Sequence, residues 1–196
     1  MKNLHLPAGG PKLQRGALLI EALVSILICA FALLGFVAMQ ARASSSEFES
    51  YQRSQALVLL EDMTNRINAD RANASAYVSA GLIGAGALVD CAGMTASALD
   101  LCEWGNLIRG SAEVRSGSTV GSMISARGCI TRPAVSTDRY VVSIVWTGMV
   151  PTGPPTSTCG KDDAAFPTEA LRRVVSSTVC VALLRDTASA AALPRC

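Results

Sequence analysis

Residues 17–39, ALLIEALVSILICAFALLGFVAM, contain only Glu21 and Ser25 as distinctly polar side chains. A run of that length and purity limits what the chain can become. At about 1.5 Å of rise per residue, a helix over it spans roughly 35 Å, enough to cross a bilayer core of about 30 Å. The chain has 196 residues, half of them apolar. Beyond the run there is material for one compact domain of about 120 residues, and not for two.

Charge sets the expected orientation. Lys2, Lys12 and Arg15 precede the run without any acid, whereas Glu47 and Glu49 follow soon after Arg42. That bias places the N-terminus on the cytoplasmic side and the remainder across the membrane. Without those three cations the chain carries 14 basic against 15 acidic residues. No basic face for nucleic acid is implied.

Of the seven cysteines, Cys29 lies within the apolar run, and Cys91, Cys102, Cys129, Cys159, Cys180 and Cys196 lie beyond it. An even number in a translocated domain reads as disulfides formed in an oxidising compartment, in bacteria the periplasm. The sequence cannot choose among the pairings that six cysteines allow. Cys91 with Cys102 is the favoured pair, because the loop-rich stretch between them closes easily, and the other four then pair among themselves. Zinc is a poor competitor: there is no CxxC pair, and the single histidine, His5, sits in the leader. Cys29 reads as an ordinary membrane-helix side chain.

The first 16 residues, MKNLHLPAGGPKLQRG, mix Pro7, Gly9, Gly10 and Pro11 with cations and read as a leader. Helical patterning then runs from Ala17 to about Arg71. In its polar part, residues 40–71, Gln52, Ala56, Leu59, Met63 and Ile67 recur at spacings of three and four, a stripe suited to packing under a sheet. Gly35 and the serines at 44–46 are the places where such a helix would bend or loosen. Residues 72–196 form the head. Loops and one or two short helices come first, then strand signals at Arg127–Thr131, Tyr140–Trp146 and Arg173–Leu183, with a long Pro/Gly-rich loop between the last two. The expected class is α+β: a long N-terminal helix packed by its polar half against a small antiparallel sheet.

Nothing here specifies an enzyme. A Ser-His or Cys-His nucleophile has no base of that type, since the sole histidine belongs to the leader. Asp162 and Asp163 are adjacent acids in a Gly/Pro-rich loop, most simply solvated, and with Asp138 they match no EF-hand spacing. GAGALVD at 84–90 lacks a dinucleotide-binding glycine pattern. No catalytic residue, metal or cofactor is expected. Trp104 and Trp146 are expected in the core.

Glu21 requires an explanation, because an acid inside a membrane helix costs on the order of 3 kcal/mol unless it is paired or hydrated. It could lie near the interface and reach for water, or it could meet a cation. The residues around it, RG/ALLIEALVSILI with the stroke between Gly16 and Ala17, resemble the class III signal of type IV prepilins, in which glycine is followed by FTLIE. Ala17 stands where that family usually carries phenylalanine. The resemblance implies that prepilin peptidase cuts between Gly16 and Ala17 and methylates the new amine of Ala17. It also implies that the helix is retained and that Glu21 pairs with such an amine during subunit assembly. Two readings compete. A secretory signal could be cleaved after Ala41-Arg42-Ala43, although its apolar region would be unusually long and carry an acid. A plain single-span anchored protein would share the topology but give no reason for Gly16 and Glu21.

Within the family, GALLIEALVSILICAFALLGFVAMQARA and the following SQALVLLEDMTNRINADR resemble PilV-type minor pilins, with weaker similarity at GCI (128–130), YVVSIVW (140–146) and LRRVV (171–175). That resemblance implies a minor pilin that primes or modulates type IV pilus assembly within a tip complex. Its implied partners are other minor pilins, the major pilin, prepilin peptidase, the inner-membrane assembly platform and membrane lipid. Its implied location is the bacterial inner membrane, single pass with a periplasmic head, and then the extracellular pilus. The alternative in the same machinery class is a minor pseudopilin of a type II secretion system, whose heads usually lack such a cysteine framework.

Overall fold

A computed structural model describes residues 15–116, 118–119, 123–134 and 138–181. Cys196, His5, most of the proposed leader and the last residues of the strand expected to reach Leu183 lie outside them. The chain divides into two units, Met1–Ser46 and Glu47–Cys196.

Helix α1 runs from Arg15 to Ala69, two residues short of the expected end, with helical assignment continuing across Gly35 and the serines at 44–46. In the first unit its side chains from Leu18 to Ser44 are all exposed. From Glu47 onward it belongs to the second unit.

There the stripe does what its spacing requires. Ala56, Met63 and Ile67 are fully buried, and Leu60 nearly so. Leu59, expected in that line, is half-buried beside it. Residues three and four positions beyond Ala56 share one helix face, and the core is wide enough to use both. A 3-10 segment (Arg71–Tyr77) turns the chain away from α1. Helix α2 spans Ala96–Ile108, and a small hairpin of β1 (Val114–Arg115) and β2 (Ser118–Thr119) follows.

The main sheet is antiparallel in the order β3 (Arg127–Thr131), β4 (Arg139–Thr147), β5 (Arg172–Cys180). Register is set by Ile130 opposite Val142, and by Ile144 and Trp146 of β4 opposite Val175 and Arg173. Alternation along each strand gives the sheet two faces. Ile130, Tyr140, Val142, Ile144, Trp146 and Val179 join the α1 stripe, Trp104 and Ile108 in the larger core. Cys129, Val145 and Val174 face the other way and pack with Cys159 and Phe166 of the long loop 148–171. That loop is therefore a lid over the outer face of the sheet. Because both faces of β4 are covered, it reads as a nearly continuous apolar run rather than a strict alternation.

Two placements depend on single residues. Trp104 is fully buried and its indole N–H donates to the Leu59 carbonyl at 2.8 Å, locking α2 onto α1. Its ring lies over Gly128, where a β-carbon would come within 2.3 Å of the indole. The free edge of β3 is covered by residues 79–83: Ile83 and Gly128 exchange backbone hydrogen bonds of 2.8 Å, and Ser79 N–H donates to the Ile130 carbonyl at 3.0 Å.

Candidate functional site

The residues singled out by the sequence fall into a membrane-type segment and a covalently braced head. Gly16, Ala17 and Glu21 lie in the first turns of α1. Glu21 is exposed on a helix face that is otherwise apolar. Leu18, Leu19, Ile20, Leu23 and Val24 around it are each between 50% and 70% exposed. Ser25 donates its hydroxyl to the Glu21 carbonyl at 2.8 Å, so the span's other polar group is satisfied within the helix. Within the first unit, no described side chain from Leu18 to Ser44 is buried. The segment is long and apolar enough to cross a membrane. Cys29 is a free thiol, exposed on the same helix.

In the head, Cys91 is bonded to Cys102 with a Cα–Cα distance of 5.8 Å, as the short closure suggested. Cys129 is bonded to Cys159 at 5.9 Å, tying the long loop to β3. Cys180 is also disulfide-bonded, and Cys196 lies outside the described residues.

Three polar clusters escaped the sequence reading. Arg66 near the end of α1 donates to Asp62 (3.0 Å), to Asp100 (2.8 Å) and to Glu103 (2.7 Å), and Tyr77 donates its hydroxyl to Asp100 at 2.5 Å. Partial burial alone would lower the Arg66 pKa, but the hydrogen bonds to Glu103 and Asp100 turn the shift upward. The Tyr77 phenol is pushed above its usual range, first by burial and then by its bond to Asp100. This cluster joins α1, the 3-10 segment and α2.

Arg172 and Arg173 point to opposite sides of β5. Arg172, 1% exposed, donates to Glu169 at 2.6 Å and to the carbonyls of Cys159 and Ser157 at 2.7 and 2.9 Å, organising the lid from beneath. That bonding holds the Glu169 carboxyl below the usual carboxylate range. Arg173 reaches Glu49 of α1 at 3.2 Å and also donates to the Val150 carbonyl. Glu49 in turn accepts from the Met149 and Val150 amides at 2.8 and 3.1 Å. Gly148 makes room, since a β-carbon there would lie 2.7 Å from the Arg173 guanidinium carbon. The adjacent arginines were visible in sequence; their division between two faces follows only from the register.

Asp162, in a left-handed turn at φ +62°, is exposed. Asp163 accepts from the Ala165 amide at 2.8 Å, a local turn bond. Among the described residues, no group of three or more His, Cys, Asp or Glu is placed to hold a metal ion. Trp104 and Trp146 are both buried. No protein-family model, curated protein or solved structure matches the chain.

Proposed function

We propose that the chain is a type IV pilin-like subunit: a minor pilin, cut by prepilin peptidase between Gly16 and Ala17, that primes or modulates pilus assembly from the bacterial inner membrane. The observation that carries this reading is Glu21, the one acid within the apolar run 17–39, on a helical segment whose described side chains are exposed from Leu18 to Ser44. A charge in that setting opposes membrane insertion by roughly 3 kcal/mol, so its presence calls for a use. An amine created at Ala17 lies one helical turn away, within reach of Glu21 of the same chain or of a neighbouring subunit. The α+β head supports the reading by its form, a helix under a small antiparallel sheet, and its disulfides suit an oxidising compartment. The partners under this proposal are other minor pilins, the major pilin, the peptidase, the assembly platform and membrane lipid.

The test is the N-terminus of the protein recovered from membranes of a strain with active prepilin peptidase. The expected chain begins at Ala17 with a methylated amine. Recovery of an uncut chain, or of one beginning at Ser44 after a secretory-type cut, contradicts the proposal.

A further inference from the structure

A pocket of about 370 Å³ opens in the head between the end of α2, the turn at 84–88 and the start of β3. Its polar walls include Arg109, Arg127 and Ser125, its apolar walls Ile108 and Leu88, and among the described residues none that lines it is acidic. That volume lies within the usual range for small-ligand sites, about 300 to 1,000 Å³.

The two arginines of this pocket are bonded to neutral groups. Arg66, Arg172 and Arg173 each meet a carboxylate. Among the described residues Arg109 donates only to neutral acceptors, Asn106 Oδ1 and the Ala85 carbonyl, both at 2.8 Å. Arg127 donates to the carbonyls of Ala126 at 2.8 Å and Gly84 at 3.3 Å. Neither has an ion pair among the described residues, and Arg109 Nε is buried without a partner among them. Burial first, and the neighbouring charge of Arg127 second, lower the Arg109 pKa. Two guanidinium groups thus repel each other at one pocket whose described lining holds no acidic side chain, a repulsion that an anion relieves.

The side of the pocket formed by α2, the turn at 84–88 and β3 is braced. Gly110, at φ +84°, ends α2 with its amide on the Leu107 carbonyl, while Ser111 N–H reaches the Asn106 carbonyl, the paired bonds of a Schellman cap that hold Arg109 in place. Asn106 grips both the amide and the carbonyl of Val89, and the Cys91–Cys102 bond ties the same loop to α2. Gly84, at φ +88°, presses on Ile108, where a β-carbon would come within 2.8 Å. The Ile83–Gly128 bridge then brings that turn beside Arg127.

We propose that this pocket binds a small solute through a carboxylate or phosphate group held between Arg109 and Arg127. The test is calorimetric titration of the full-length chain in neutral detergent with inorganic phosphate and, separately, with succinate, against sodium chloride at matched ionic strength. Saturable binding of at least one probe is expected; phosphate alone or succinate alone identifies which group the pocket takes. Arg127→Gln should weaken that binding by about ten- to a hundredfold, the loss of one charge-assisted contact, and Arg127→Lys by less. Ser125→Asp, which supplies an internal carboxylate at the pocket wall, should abolish binding, and aspartate tolerates the left-handed backbone there, φ +54°. It also serves if Arg127→Gln does not fold. Lack of saturable binding by either probe overturns the proposal. So does undiminished binding in folded Arg127→Gln or in Ser125→Asp.

Discussion

Gly128 has no side chain because Trp104 occupies the space: an added β-carbon would lie 2.3 Å from one indole carbon and 2.9 Å from Ile108 Cδ1. The indole is held by its bond to the Leu59 carbonyl and by full burial, so it cannot give way cheaply. Gly128→Ala is expected to cost about 1–3 kcal/mol. Denaturant unfolding followed by tryptophan fluorescence measures it, and an unchanged midpoint contradicts the packing argument. Tyr77 gives a pH-dependent counterpart. Its folded-state pKa is raised by burial and by the bond to Asp100, so the stabilisation is fully present below the unfolded phenol value of about 10. It is lost as pH rises through the folded value. Tyr77→Phe should therefore cost about 1 kcal/mol near neutrality. The gap between the two proteins should narrow above about pH 10, and a gap independent of pH would show that the hydroxyl does not report this bond.

Elements were legible where periodicity had a single cause. The α1 stripe could be read directly because it repeats apolar positions against one core, and β4 because both of its faces are covered and its run is nearly continuously apolar. The hairpin β1–β2 could not, since two-residue strands carry no period. The lid was read only as a loop: what makes it a structural element is Arg172 reaching back to its carbonyls and Cys129 reaching across to Cys159, both long-range. The Cys91–Cys102 pair was readable from its short loop, while Arg109 and Arg127 gave no signal, because residues 18 apart in sequence come to one pocket only through the turn at 84–85, whose carbonyls they bind. Loop length also orders the two bonds energetically. With separations of 30 and 11 residues, chain-entropy arguments give about 3.6 and about 2.8 kcal/mol. Cys129→Ala with Cys159→Ala should thus be the more destabilising double change, and limited proteolysis should then cut within residues 148–168 before any other part of the head. Uncut lid in that variant, with the parent's unfolding midpoint, would show that Arg172 alone fixes it.

For the whole molecule, the apolar surface of α1 from Leu18 to Met39 is exposed and is long and apolar enough to cross a membrane. Lipid satisfies the aliphatic side chains but not Glu21, so the carboxylate distinguishes simple anchoring from assembly. Under the pilin-like reading the charge meets an amine at Ala17, and three substitutions separate the possibilities. Glu21→Val removes the charge that opposes insertion, so membrane insertion should be at least as efficient as in the parent. Cleavage after Gly16 should be unaffected, because the glycine carries that signal. Association should fail: removing one partner of a desolvated charge pair costs about 2–5 kcal/mol, enough to lower crosslinking between subunits in membranes more than about tenfold. Glu21→Gln, which keeps a polar group but no charge, should behave like Glu21→Val if an ion pair is at work, and like the parent if the side chain only seeks water. Glu21→Asp should retain part of the association. Crosslinking and pilus yield equal to the parent's in Glu21→Val, at equal protein level, would make the glutamate a tolerated passenger and leave a single-span anchored protein as the better account of the helix.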